Sequence, residues 1–337
     1  MFNNLVNVHD ASLLVEKIRQ GRLRQIVSRF LIGKEKRLER SWNHVQYPLR
    51  HWWDIPEVME RWNVLISGDK NVDYVSYFLH KYFSGRDSLT ALSLGCGTGH
   101  REVKLARLGM FERIDAVDIS KARIEHAREK SEDQGYDNVI SYVVGDVYTV
   151  PLPSSSYDLV IVEQSLHHFS PLDRILNRIH ACLSSSGCFI FNEYVGPARF
   201  QWTDKQLEVI NDLLSRFPER YRRRWKSGTV KRKVHRRGRL SMTLWDPSEA
   251  IESHRILPFI REIFDVVEIK GYGGTVLHPL FSDIAQNFLL KDGETQHLLR
   301  MCFRVEDRLL SSGELPSDFV VGICRRREGG DARAAAM

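Results

Sequence analysis

No stretch of the 337-residue sequence strings together the roughly 18 apolar residues that a membrane-spanning helix requires. The opening residues, Met1-Phe2-Asn3-Asn4, lack the basic-then-apolar order of a secretory leader, so a cytoplasmic protein is expected. Cysteine is scarce. Cys96, Cys182, Cys188, Cys302 and Cys324 are scattered, odd in number and contain no C-x-x-C pair. That argues against a disulfide framework or a zinc site; buried free thiols are expected and no metal is assigned. Internal repeats are absent too.

Net positive charge is also lacking outside one stretch. The net charge is +6, but Arg216 to Arg239 holds twelve Lys/Arg and a single acid, Glu219. That stretch contributes +11 and leaves the remainder at −5. The chain is a mildly acidic protein with one basic element, which weighs against a dedicated nucleic-acid binder. Hydrophobic residues at 42% and charged residues at 27% fit a packed globular fold rather than a disordered chain.

What is present divides into three parts. Residues 1–86 read as a helical N-terminal cap, with Leu13, Leu14, Ile18 and Val27 at helical spacing. Its aromatics include Trp42, Tyr47, Trp52, Trp53, Trp62, Tyr74, Tyr77, Phe78, Tyr82 and Phe83. They either pack the cap onto a core or line a substrate cavity. Residues 87–326 read as the core, interrupted by an insertion over 197–262 that includes the basic stretch. Residues 327–337 read as a disordered tail.

Within the core, short apolar runs alternate with helical patterns. Strands are predicted at Leu89–Leu94, Arg113–Asp118, Ile140–Val144, Tyr157–Val162 and Gly187–Glu193, then at Phe264–Tyr272 and Asp318–Arg325. Helices are predicted over Glu102–Leu108 and Lys121–Gln134 (capped by Ser120), and from Ser170-Pro171 onward, with Ser170 as cap and Pro171 at the first helical position. Others are predicted over Thr203–Phe217, His278–Leu290 and Thr295–Leu310. The fold class expected is α/β: a Rossmann-like, mostly parallel seven-stranded sheet with helices on both faces.

In such a sheet, ligands bind at the carboxyl ends of the strands where the strand order reverses. The turn after the first strand carries Gly95, Gly97 and Gly99. Glycines there permit positive φ and close backbone approach. A dinucleotide fingerprint, G-x-G-x-x-G, needs a glycine at position 100, which is His. The spacing therefore suits an S-adenosylmethionine turn better. Asp118 ends the second strand and can accept hydrogen bonds from ribose hydroxyls. Asp146 follows the third and can accept from an adenine amino group. Either alone is equally readable as a turn residue or helix cap.

Residues 89–193 resemble the core of class I S-adenosylmethionine (SAM)-dependent methyltransferases, in particular the large group similar to the quinone-biosynthesis C-methyltransferases. The matching pieces are LSLGCGTG, DAVDIS, VVGDV, YDLVIVEQSLHHF and LSSSGCFIFNEY. The resemblance implies SAM as cofactor and places Gly95, Cys96, Gly97, Gly99, Asp118, Ile119, Asp146, Val147 and Glu163 around it. The sequence departs from the group at Ser93, where the group usually has an acidic residue that helps hold the SAM amino group. Glu102, just past the turn, is available to substitute.

Methyl transfer to oxygen or nitrogen benefits from a general base with a pKa near the working pH, which histidine has unperturbed. His167 and His168 directly follow the fourth strand. Sugar O-methyltransferases of natural-product pathways have a similar Leu-His-His there. That resemblance implies His167 as base, with Glu193 after the fifth strand beside it, and His168 as the more structural partner. Tyr194 is a further acceptor-binding candidate. Arg222 and Arg223 in the basic element suit a phosphate or carboxylate on the acceptor, or RNA, or form a solvated charge run. The Gly271–Pro279 segment either borders the cavity or is a bend.

The sequence thus points to SAM-dependent O-methylation of a sugar or other hydroxylated small-molecule acceptor, which the basic element allows to be anionic or carrier-linked. The alternatives are RNA or protein methylation through residues 216–239, and a non-catalytic SAM-fold partner protein.

Overall fold

The computed structural model describes residues 51–239, 242 and 247–328. The helical expectation for residues 1–50 and the tail from 329 onward lie outside the described residues.

The seven strands are β1 (Leu89–Leu94), β2 (Phe111–Asp118), β3 (Ile140–Val144), β4 (Tyr157–Glu163), β5 (Leu183–Tyr194), β6 (Phe264–Gly273) and β7 (Phe319–Arg326). They form one sheet in the order β3-β2-β1-β4-β5-β7-β6. β7 alone runs antiparallel, between β5 and β6. The strand order reverses between β1 and β4, which places the binding crevice at their carboxyl ends.

Alternate residues of the central strands feed two separate cores, as the two-residue period of a strand requires. Leu89, Ala91, Leu159, Ile161 and Ile190 join one core. Leu92, Leu94, Val160, Val162, Phe189 and Phe191 join the other. The first core is covered by α1 (Pro56–Ser67), α2 (Tyr74–Tyr82), α3 (His100–Ala106), α4 (Lys121–Asp133), α6 (Asp204–Ser215) and α9 (Gly293–Ser311). The second is covered by α5 (Leu172–Cys182) and α7 (Ile256–Ile263).

The cap aromatics within the described residues are mostly packing groups. Trp52 is 1% exposed and meets Trp62 edge-on at 4.6 Å. Trp62 lies 4.6 Å from Tyr272, and Trp52 lies 5.0 Å from Phe319. Arg61 of α1 clamps the cap to α9 through Glu306 at 3.0 Å and Asp307 at 2.5 Å.

Two expectations are corrected. Ser170 does not cap α5: the helix starts at Leu172, whose N–H is taken at 3.0 Å by Glu252 Oε2 from the insertion. The helix foreseen over His278–Leu290 is broken into α8 (Leu277–Phe281) and a 3₁₀ turn at Ala285–Phe288. Asp283, at φ +66°, interrupts it, because a left-handed residue cannot continue a right-handed helix. Gly271–Pro279 is a tightly packed bend. At Gly274, φ +79°, a Cβ would lie 2.3 Å from the Phe319 ring, so only glycine fits.

No helix among the described residues is long and apolar enough to cross a membrane.

Candidate active site

The glycine turn is tied to both neighbouring strands. Gly95 and Cys96 donate their N–H groups to Val117 O of β2 at 2.8 and 3.1 Å. Gly97 N–H donates to Asp118 Oδ2 at 2.9 Å, and Ser120 N–H donates to Oδ1 at 2.8 Å. Asp118 therefore braces the turn with one lone pair of each oxygen and keeps the others for a ligand. Its burial raises the carboxyl pKa, against those two backbone bonds. On the β4 side, Ser165 Oγ donates toward Gly95 O at 3.2 Å and Glu163 O at 3.0 Å. Gly95, Gly97 and Gly99 all have positive φ, +73°, +59° and +71°.

Asp146 is exposed two residues past β3 and accepts the Tyr148 N–H at 2.9 Å. Beside it Val147 is buried, whereas Ile119, after β2, is 50% exposed. An exposed aliphatic and an exposed carboxylate at neighbouring strand ends are the groups an adenine ring needs, one for its face and one for its amino group.

A cleft opens past the turn, lined by Ser93, Gly95, Cys96, Thr98, Arg101, Glu102 and Glu163 among others. Ser93 shares its pleat face with Leu89 and Ala91 and points toward α3. There its Oγ donates to Glu102 Oε1 at 2.5 Å. Glu102 is fully buried, and its Oε2 has no partner among the described residues. Burial pushes its carboxyl pKa up to about 7. A carboxyl group is thus present beside the turn, reaching in from α3 instead of standing on β1.

Arg101, which the sequence reading passed over, dominates this cleft. It grips Glu163 with two hydrogen bonds, Nε to Oε2 at 2.8 Å and Nη2 to Oε1 at 2.6 Å. Its guanidinium lies 4.9 Å from the Tyr74 ring centroid and 3.4 Å from Asp73, the cap residue of α2. Burial opposes ionisation of Glu163, but Arg101 wins and the carboxyl stays below its ordinary range. Glu163 therefore meets any ligand already paired. Its position two residues into α3 was the only sequence signal for Arg101, and a lone arginine there is ordinary.

At the other end of the crevice, the 3₁₀ turn Leu166–His168 carries both histidines. Glu193 is fully buried under it. Its Oε2 accepts the N–H groups of Ser165 and Leu166 at 2.9 and 2.7 Å. Its Oε1 accepts the Tyr194 N–H at 2.9 Å and contacts His167 Nδ1. A carboxylate so saturated is a fixture that sets the ring and tautomer of His167, with Nε2 facing away. The His168 ring lies 4.0 Å from that of His167, tilted by 43°, and its Nδ1 is 3.2 Å from Ser248 Oγ. Burial, reinforced by the neighbouring His167, holds His168 well below the usual histidine range, so it is neutral. Tyr194 is 1% exposed and donates its hydroxyl to Pro197 O at 3.0 Å. Its ring forms a wall, and its hydroxyl is already engaged.

Five of the twelve cations of the basic element pair with acids. Arg216, Arg220, Arg223, Arg224 and Arg236 pair with Asp212, Glu294, Glu219, Asp283 and Asp204. Lys231 is buried and donates to the carbonyls of Pro279, Leu280 and Ser282. Arg222 is half-buried and Arg223 exposed; neither lines the cleft.

Residues 92–191 match the family described as "Methyltransferase domain". The malonyl-[acyl-carrier protein] O-methyltransferase of Legionella pneumophila is 32% identical over 110 residues, 33% of this chain and 37% of that protein. The 2-phytyl-1,4-naphtoquinone methyltransferase of Nostoc punctiforme is 30% identical over 135 residues, 40% of this chain and 59% of that protein. The chain thus spans less than two thirds of the length of these curated relatives. Among solved structures, geranyl diphosphate C-methyltransferase from Streptomyces coelicolor A3(2) shares the fold with a TM-score of 0.52 at 13% identity, over 88% of this chain and 99% of that one.

Residues 92–191 thus form a methyltransferase domain, and the sheet order and glycine turn set it within a Rossmann-like fold.

Proposed function

We propose that this protein transfers the methyl group of SAM to a hydroxyl of a small acceptor, with His167 as the general base. The observation that carries the reading is the Glu193–His167 pair: a buried carboxylate on Nδ1 fixes the ring and makes Nε2, 3.6 Å from Glu249 Oε1, the nitrogen assigned to take up the proton. The cofactor supplies the electrophilic carbon; the chain supplies placement and proton removal.

The cofactor's methionyl end is a zwitterion, and the cleft beside the turn has matching groups. Glu102 and the Arg101-bound Glu163 offer carboxylates to its ammonium, and Arg101 offers a guanidinium to its carboxylate. Asp118 serves the ribose and Asp146 the adenine amino group, with Ile119 and Val147 against the ring. Glu193 and His168 act as positioning residues around His167, and Tyr194 walls the acceptor space. The O-methylating and quinone-methylating relatives support both a carrier-linked and a free ring acceptor; the oxygen acceptor is chosen because the site holds a base. The pairing of five of the twelve basic residues with acids weighs against RNA as the acceptor, and Arg222 and Arg223, which lie outside the cleft, are assigned to an anionic group on the acceptor's carrier.

Calorimetric titration with SAM, followed by turnover with hydroxylated acceptors, tests this. Binding at micromolar SAM and a loss of turnover of about 10²–10⁴-fold in His167→Ala, with SAM affinity unchanged, are expected. No heat at millimolar SAM would leave the non-catalytic reading standing, and a fully active His167→Ala enzyme would remove the base.

A further inference from the structure

The insertion after β5 returns to the histidine turn through residues 247–252, a short strap fixed at several points. Arg199, near the start of the insertion, donates its backbone N–H to Ala250 O at 2.7 Å, Nη1 to Glu249 O at 3.0 Å and Nη2 to Pro247 O at 2.8 Å. Ser248 Oγ lies 3.2 Å from His168 Nδ1. Glu252 Oε2 accepts the Leu172 N–H at 3.0 Å, and the next residue, Ser253, donates its hydroxyl to Gly196 O at 2.9 Å. Polar contacts of this kind hold the strap to α5, to the histidine turn and to the chain just past β5.

Seated in this way, the strap covers the base. His167 is 7% exposed, and its Nε2 lies 3.6 Å from Glu249 Oε1. A hydroxyl donating to Nε2 must bring its oxygen to about 2.8 Å, into the space that Glu249 takes up. The ring faces offer no other approach: His168 lies 4.0 Å away and Tyr194 stands edge-on at 6.3 Å. The seated strap also coincides with backbone strain. Arg199 (φ +54°), Phe200 (φ +50°) and Ala250 (φ +48°) all stand in the left-handed region, which is unfavourable for residues that carry a Cβ. Strain of this kind persists only where surrounding contacts enforce it, and it is relieved when they part.

We propose that residues 247–252 form a displaceable strap that closes off His167 when seated and lifts from the histidine turn, with Arg199 as its catch, to admit the acceptor. The acceptor's part rests on the proposed function; the covering and uncovering of His167 do not. Lifting breaks the two guanidinium bonds of Arg199 and the Ser248–His168 contact. It leaves Glu193 and the His167 ring where β4 and β5 hold them, because neither is anchored on the insertion. The base therefore stays rigid while its cover moves. A site that is open for only a fraction of the time binds in proportion to that fraction, so the strength of the catch sets how readily the acceptor enters.

Diethyl pyrocarbonate, which acylates an accessible neutral imidazole nitrogen, reads the cover directly. The full chain is treated at pH 7.5 without SAM, and each histidine is followed by peptide mass spectrometry, with His297, exposed on α9, as the internal reference. In the parent, His167 should label about tenfold more slowly than His297, or slower still. Arg199→Ala keeps the strap's carboxylate and removes the two guanidinium bonds; it should speed His167 by about fivefold or more and leave His297 unchanged. Glu249→Ala should speed it as well. Equal rates for the two histidines in the parent would overturn the proposal. So would His167 labelling that is unchanged in Arg199→Ala, even if Glu249→Ala is faster, since the cover would then be a fixed side chain and not a strap. Circular dichroism checks the fold of each variant; if Arg199→Ala is unfolded, Ser253→Ala, which removes the bond to Gly196 O beside the strap, decides in its place. The readout needs neither turnover nor cofactor. A fully active His167→Ala enzyme would remove the base and leave the strap standing, and a freely labelled His167 would remove the strap and leave the base standing.

Discussion

Ser93 on β1 and Glu102 on α3 are joined by a 2.5 Å hydrogen bond beneath the glycine turn, and the carboxyl group so held has a pKa of about 7. Its free Oε2 suits a cationic amino group only when ionised. Below pH 7 a proton must leave before the cofactor's ammonium can pair, so affinity rises with pH toward 7, by up to tenfold per unit. Titrating S-adenosylhomocysteine calorimetrically at pH 5.5, 6.5 and 7.5 checks this. Glu102→Gln should bind about tenfold more weakly at pH 7.5 and lose the dependence.

The same group makes a stability prediction of opposite sense. Its folded pKa lies above the ordinary value of 4.5, so the native state binds more protons than the unfolded chain between about pH 4.5 and 7. This contribution to stability is full below that window and is lost as pH rises through 7. Glu102→Gln, which carries no charge to bury, should therefore gain in Tm relative to the parent at pH 8 and not at pH 4.5.

Glu193 is predicted to act on rate through His167. Glu193→Gln keeps the side-chain size but loses the carboxylate that fixes the ring and tautomer of His167, so kcat should fall about 10–100-fold with KM and SAM affinity unchanged. A purely structural role would reduce the folded fraction and leave the kcat of the folded enzyme unchanged.

Gly99 and Gly109 provide a matched pair. Both have positive φ, +71° and +67°, so alanine costs about 1–2 kcal/mol of backbone energy at either. At Gly109 a Cβ meets nothing within 4 Å. At Gly99 it would lie 2.4 Å from Tyr142 Oη and 2.8 Å from Ala127 Cβ. Thermal melts should show a modest loss for Gly109→Ala and a larger one for Gly99→Ala, which should also weaken SAM binding.

Arg101→Met should strand Glu163 in the cleft without its guanidinium. Removing one partner of a buried pair costs about 3–5 kcal/mol; the 30% exposure of the Glu163 side chain places this one toward about 3. Chemical denaturation measures it. Arg101→Lys should recover part of the stability, because the bidentate geometry is lost but the charge is kept.

The strands were legible because each carries a short apolar stretch between turn residues, and Asp118 because it ends one of them. Ser120 announced its cap and accepts the backbone N–H expected, whereas Thr203, read as the first helical residue, is itself the cap of α6. What escaped the sequence depends on distant chain segments. Glu252 caps α5 from 80 residues away, Arg101 is recognisable only opposite Glu163, and Glu249 only against the histidines. The charge run misled for the same reason: its acidic partners, among them Asp204, Asp283 and Glu294, lie outside it.

β7 lies inside β6 although it is synthesised after it. Until residues 319–326 leave the ribosome, β5 presents a bare edge and β6 has no neighbour to join. The growing chain must therefore keep two incomplete hydrogen-bonding edges apart while α9 emerges. Docking of β7 then closes both at once, through Cys188 to Tyr194 on one side and Phe264 to Gly273 on the other. A released chain truncated before Phe319 should accordingly be far more sensitive to protease and to aggregation than one carrying those eight residues.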